Sequence, residues 1–199
     1  MKTIVGSGRM RSPLILASGS PRRRELLAGL GLTFEAAPAD VDETPLPGER
    51  PGDLTVRLSE LKARRVAERY PDALVLAADT VVALDNDLLG KPRDAAEARA
   101  FLERLAGRSH LVYTGHTAIH GGKWRSRLVE TQVRFRELSE REVDWYLSTG
   151  EGFDKAGGYA IQGFGRALVA EVCGCYFNVV GLSVAAVFEL AKELGVPLV

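Results

Sequence analysis

Asp79 stands inside the run Leu74-Val75-Leu76-Ala77-Ala78-Asp79-Thr80-Val81-Val82, where every other residue but Thr80 is apolar. A carboxylate in a buried strand is costly unless it is paired, hydrogen-bonded or bound to metal. Asp79 is therefore a candidate for catalysis or cation binding, with Thr80 as a second polar group beside it. The alternative is a carboxylate tied structurally to a lysine or to backbone amides. Asp40, Asp42 and Glu43 form an acidic cluster that alone would be a solvated loop. Together with Asp79 it could hold Mg²⁺ against a phosphate chain.

The basic residues suggest the anion. In LILASGSPRRRELL (14–27) an apolar run is followed by Ser18, Gly19 and Ser20, then Pro21 and three arginines. Gly19 allows a bend, Ser20 suits a helix N-cap, and Pro21 suits the first helical position. A helix N-terminus attracts anions, so Arg22, Arg23 and Arg24 are locally unfavourable there unless an anion binds or some point away. Hydroxyls, amides and arginines at a strand-to-helix junction fit a phosphate cradle. Lys62, in a charged helix, Lys91, in GKP, and Lys155, in DKAGGY, would each alone be surface lysines. With the arginines and acids they suggest nucleotide plus metal. Gln162, in YAIQG, carries an amide that can donate and accept at once, as reading a base edge requires.

These groups must be positioned by alternating strands and helices. Leu14–Ala17 reads as a buried strand, residues 22–30 as a helix, and residues 33–41 as a strand broken at Pro38. A proline-rich loop (42–53) leads to a helix capped by Asp53, with Leu54, Leu58, Leu61 and Arg65 along one face. Residues 73–84 form the strongest strand. A turn at Asp85-Asn86-Asp87 and a return strand at Leu88-Leu89-Gly90 follow. Asp94 caps a helix with Ala98, Phe101, Leu102 and Leu105 inward. Strands at 110–120 and 126–138 join at Gly121-Gly122, and Val129, Thr131, Val133 and Phe135 alternate onto one buried face. Ser139 and Glu142 form a capping box for a helix through Leu147. A glycine-rich stretch (150–165) leads to strands near 167–180, and Ser183–Leu194 closes the chain as a helix. The expectation is an α/β fold built on a mixed sheet.

Composition excludes several classes. Lys plus Arg and Asp plus Glu both number 26, so the chain is neutral, unlike most nonspecific nucleic-acid binders. No run approaches the ~18 apolar residues of a membrane span. The opening MKTIVGSGRM lacks the apolar core of a secretory signal. The expectation is a cytoplasmic protein that binds neither nucleic acid nor membrane, with residues 1–12 as a loose leader. Cys173 and Cys175 would share one face of a strand as reduced, structural thiols. His110, His116 and His120 have no acid or cysteine at ligand spacing and read as ordinary strand residues. Neither GxxxxGK[ST] nor GxGxxG occurs, so these phosphate loops are absent.

LILASGSPRRRELL, DVDET, AADTVV, GKPRD, DKAGGYAIQG and NVVGL together resemble the Maf family of nucleoside triphosphate pyrophosphatases, in the family's order, from about Leu14 to Leu194. YAIQG followed by NVVGL resembles its dTTP/UTP subgroup. The resemblance implies an elongated twisted mixed α/β sheet flanked by helices, similar to inosine triphosphate pyrophosphatases. It implies one domain (13–199) of two lobes around a cleft, often a homodimer. It implies hydrolysis of dTTP and UTP to monophosphate and pyrophosphate with a divalent metal, Mg²⁺ or Mn²⁺. By resemblance Asp79 is the catalytic base, and Arg22, Thr80 and Gln162 set specificity. Ser18, Ser20, Arg23, Lys62, Lys91 and Lys155 bind phosphate, and Glu43 with Asp79 holds the metal. The family's association with septum formation leaves open a non-catalytic nucleotide-binding regulator. Hydrolysis of 7-methyl-GTP or another modified nucleotide is the enzymatic alternative.

Overall fold

The structure is a computed structural model that describes residues 12–85 and 87–199. The expected leader, except Ser12, and Asn86 of the expected turn lie outside the described residues.

The first strand, Leu14–Leu16 (β1), is buried throughout. Pro21–Ala28 (α1) follows, with Gly29 as its C-cap. Glu35–Ala36 (β2) is far shorter than the expected 33–41. Its partner β1 ends at Leu16, and the Ala37 N–H to Leu16 carbonyl bond closes the pairing just before Pro38. Pro51–Ala67 (α2) begins before the expected Asp53; Arg50 is the N-cap and Pro51 fills the first turn. Leu54, Thr55, Leu58, Ser59, Lys62, Ala63 and Val66 form its buried stripe, whereas Leu61 and Arg65 face solvent. Small and hydroxyl side chains on that stripe allow close approach to the sheet.

Leu74–Leu84 (β3) is the central strand, and Asp87–Leu89 (β4) returns along its end. Ala95–Leu105 (α3) starts at Asp94, whose carboxylate accepts the Glu97 N–H. Ala98, Leu102 and Leu105 are buried, and Phe101 is only partly covered. Ser109–His120 (β5) and Lys123–Phe135 (β6) form a long hairpin, the second strand beginning earlier than residue 126. In Glu140–Ser148 (α4) the Ser139 N–H donates to Glu142 Oε2 at 2.8 Å, as the capping box requires.

The region expected to be strand from 167 to 180 divides into Val169–Cys173 (β7) and Tyr176–Val180 (α5). Asn178, buried within that helix, ties it to the sheet: its Nδ2 donates to the Val112 carbonyl and to Thr131 Oγ1, both at 3.1 Å. Cys173 therefore ends a strand while Cys175 caps a helix, so they share no strand face. Both are free, and Cys173 is exposed rather than structural. Val184–Glu193 (α6) completes the described elements, with Ser183 Oγ accepting the Ala186 N–H.

The strands pair in the order β2-β1-β3-β5-β6-β7, with β4 also on β3. Pairings of β1 are parallel and the others antiparallel, so the sheet is mixed as expected. Alternation along β3 separates two cores. Leu74, Leu76 and Ala78 join α6 residues such as Leu190, while Val75 and Ala77 meet Ala63 and Val66 of α2. Farther along, Val82 and Leu84 enter a third core with Leu102, Phe135 and Tyr146. Thr80 and Val81 alone interrupt the burial of β3, between these cores.

Candidate active site

That interruption is the floor of a cleft of about 850 Å³, within the usual range for a small-molecule site. Ser18, Ser20, Arg22, Arg23, Glu43, Lys62, Asp79, Thr80, Lys91, Lys155 and Gln162 all line it. Six separate segments bring them together.

Asp79 points toward α2 and Thr80 toward α1, as neighbours in a strand must. Lys62 reaches Asp79 from the buried stripe of α2. Its Nζ lies 2.6 Å from Asp79 Oδ1 and 2.6 Å from Glu43 Oε1. Lys62 and Asp79 are nearly covered, whereas Glu43 is exposed on its loop. The ammonium offsets the desolvation of Asp79. Lys62 was legible as more than a charged-helix residue, because it lies four positions from both Leu58 and Val66 on the apolar stripe.

Two carboxylates directed at one cation present the hard oxygen donors that Mg²⁺ or Mn²⁺ accepts, with substrate phosphates supplying further oxygens. Glu43 and Asp79 have donors of the kind a divalent ion takes, but the Lys62 ammonium stands 2.6 Å from both and would have to move aside for one. The larger acidic cluster does not assemble: Asp40 is exposed, and Asp42 accepts the Thr44 N–H at 2.9 Å within its own loop. Among the described residues no group of three or more His, Cys, Asp or Glu is placed to hold a metal.

The three arginines separate by direction. Arg24 is exposed, Arg22 lines the cleft, and Arg23 is drawn into it. Arg23 Nε donates to the Gly181 carbonyl at 2.7 Å, Nη1 to Ser18 Oγ at 3.2 Å and Nη2 to Thr80 Oγ1 at 3.0 Å. Burial lowers its pKa, opposed by Asp79, but a guanidinium remains charged. Ser20 occupies the N-cap position without a side-chain cap bond; its own N–H donates to Ser18 Oγ at 3.2 Å. Gly19 does not need left-handed backbone, and a Cβ there would make ordinary contact with Pro38 at 3.6 Å. The glycine bend expected from sequence is therefore not what shapes the turn.

Lys155 Nζ donates to the Glu151 carbonyl at 2.7 Å and also pairs with Asp154. Arg22 and Lys91 form no ion pair among the described residues. The Gln162 amide likewise makes no hydrogen bond among them, leaving donor and acceptor open to the cleft.

Sequence reading missed Thr114 and Gly181. Thr114 Oγ1 lies 3.0 Å from Thr80 Oγ1 and donates to the Asn178 carbonyl at 3.2 Å. Its position opposite Thr80 follows from antiparallel register, which local sequence does not specify. The histidines are strand residues, as expected. His110 Nε2 meets Tyr159 Oη at 2.7 Å, His116 Nε2 accepts the Ser183 N–H at 2.8 Å, and His120 Nδ1 lies 3.3 Å from the Ala73 carbonyl. Among the described residues no helix is long and apolar enough to cross a membrane.

A sequence model of the family described as Maf-like protein matches residues 13–194. The chain is 54% identical over 185 residues to the dTTP/UTP pyrophosphatase of Myxococcus xanthus, covering 93% of this chain and 94% of that one. It is 49% identical over 184 residues to the dTTP/UTP pyrophosphatase of Syntrophus aciditrophicus, covering 92% and 90%. Among solved structures, the Staphylococcus aureus Ham1 protein is matched at a TM-score of 0.44 and 12% identity, over 94% of this chain and 92% of that one.

Proposed function

The chain belongs to the Maf family, and on that premise we propose that it hydrolyses dTTP and UTP to the monophosphate and pyrophosphate. The observation that carries the chemistry is Asp79 beside Lys62 and Glu43 on the floor of a cleft lined by cationic side chains. Residues 13–199 act as one domain whose two lobes flank that cleft.

Arg22, Arg23, Lys91 and Lys155 bind the triphosphate, joined by the hydroxyls of Ser18 and Ser20. Lys62 turns from the carboxylates toward phosphate when substrate enters. Thr80 accepts from Arg23 and donates to Thr114, whose own proton goes to the Asn178 carbonyl, so it meets the substrate only through its remaining lone pair. Gln162 pairs with the pyrimidine edge through its amide. Asp79 accepts a proton as water attacks the α-phosphorus in line. The new oxygen–phosphorus bond forms at the α-phosphorus. The bond to the oxygen bridging toward the β-phosphorus breaks, and pyrophosphate leaves. Glu43 and Asp79 would hold a divalent cation, Mg²⁺ or Mn²⁺, which supplies positive charge against the reacting phosphates. We place the enzyme in the cytoplasm as a homodimer.

Purified protein incubated with Mg²⁺ or Mn²⁺ and dTTP, UTP, CTP, GTP, 7-methyl-GTP or ITP provides the test. The expected outcome is pyrophosphate, not orthophosphate, chiefly from dTTP and UTP. Preference for 7-methyl-GTP would retain the reaction and overturn the base assignment. Release from none would favour a nucleotide-binding regulator of septum formation.

A further inference from the structure

We propose that Glu151 is a positioning residue that sets the substrate-contacting segment of Lys155 and Gln162 and thereby the enzyme's nucleotide preference. The proposal rests on the pyrophosphatase reading above and deepens it.

Glu151 follows α4 closely and does not line the cleft. Its carboxylate is directed at backbone beyond Gln162. Oε1 accepts the Phe164 N–H at 2.9 Å and Oε2 accepts the Gly165 N–H at 2.8 Å. A carboxylate receiving two amides makes strong charge-assisted bonds and fixes the local peptide planes. Among the described residues no cationic side chain forms an ion pair with that carboxylate. Gly163 makes the approach close: its φ is 63°, and a Cβ there would lie 1.7 Å from Glu151 Oε1. Any side chain at 163 would displace the carboxylate.

The other side of Gln162 is also fixed from α4, because the Ala160 N–H donates to Tyr146 Oη at 3.0 Å. Gln162 is thus held between two backbone anchors while its own amide stays open. The same Glu151 acts at the phosphate side through its main chain, where its carbonyl accepts Lys155 Nζ at 2.7 Å. Glu151 therefore bears on both an ammonium, which its carbonyl shares with the Asp154 carboxylate, and a base-reading amide. Asp79 and Lys62 stand on β3 and α2, outside this bracket. Disturbing it should alter substrate binding and base preference more than the chemical step.

Glu151→Gln keeps the side chain's shape but turns an amide NH2 toward one of the two backbone donors. Steady-state pyrophosphate release with dTTP, UTP and GTP is measured for it and for the unsubstituted enzyme, with a thermal melt of each. The expected result is a folded variant whose KM for dTTP and UTP rises about tenfold while kcat falls less. Its preference for dTTP over GTP should narrow by a similar factor. Gly163→Ala, which attacks the same joint from the other side, should reproduce that pattern. Unchanged KM and preference in folded Glu151→Gln would overturn the proposal. No pyrophosphate from the unsubstituted enzyme would instead sink the pyrophosphatase reading itself. Amide hydrogen exchange in the unsubstituted protein gives a second, mutation-free test. Phe164 and Gly165 should exchange as slowly as helix amides although Phe164 is exposed, and exchange at the rate of a free loop would overturn the bracket.

Discussion

At Asp79, stability and chemistry meet in one carboxylate. Lys62 lies 2.6 Å from it, and nine-tenths of the Asp79 side chain is covered. Removing one member of a buried pair ordinarily costs about 3–5 kcal/mol. Here Lys62 retains Glu43 as a second carboxylate, so Asp79→Asn should lie near or below the lower end of that range. Asparagine preserves the volume but is a far weaker proton acceptor. Turnover of dTTP should fall by about 10²–10⁴-fold in a protein that still melts cooperatively. Near-normal turnover in that folded variant would remove Asp79 from its assigned role. The candidacy of Asp79 was legible in sequence because an acid in an apolar strand is anomalous by itself. The partner was not, because Lys62 is 17 residues away and meets Asp79 only when α2 lies on the sheet.

The contact of α2 with the sheet depends on what β5 lacks. Gly115 stands opposite Asp79 in the antiparallel register. A Cβ on Gly115 would lie 2.3 Å from the Thr55 carbonyl carbon and oxygen, which are rigid helix backbone. Glycine there lets α2 settle closely enough for Lys62 to reach the carboxylate. Gly115→Ala should therefore cost about 3 kcal/mol, the upper part of the overpacking range, and weaken dTTP turnover as well. A thermal melt and a pyrophosphate assay check both, and an unchanged melting temperature would mean that α2 shifts without penalty. Other elements show how neighbours override local pattern. Tyr176–Val180 carries strand-favouring residues but forms a helix, which the buried Asn178 bonds tie to the sheet. The second strand stops where its short partner stops, not where its own pattern ends.

For the molecule as a whole, the buried histidines of β5 set an acid limit. Burial lowers His110 and His116 from 6.5 to about 4. His116 must remain neutral at Nε2 to accept the Ser183 N–H. Above pH 6.5 both folded and unfolded chains leave these rings neutral. As pH falls from 6.5 toward 4, the unfolded chain takes up protons that the folded one refuses, and stability is lost. The loss approaches about 3 kcal/mol per histidine near pH 4, below which the slope from these groups disappears. Denaturant unfolding across pH 4–7 should show this slope, reduced by one proton in His116→Gln. An unchanged slope in that variant would mean that His116 does not set it.

The sequence by itself determined the central strand, the anomalous carboxylate within it, the helix starts at Asp94, Ser139 and Ser183, and the types of side chain at the site. These follow from short-range physics: apolar periodicity, capping chemistry and the cost of burying charge. The tertiary structure alone decided that Lys62 stands between Glu43 and Asp79, that Thr114 supports Thr80, and that Glu151 holds the backbone beyond Gln162. It also decided that Arg23 enters the cleft while Arg24 faces solvent. Those relations depend on strand register and helix placement across distant parts of the chain, where one glycine's missing side chain can fix a distance that no local pattern encodes.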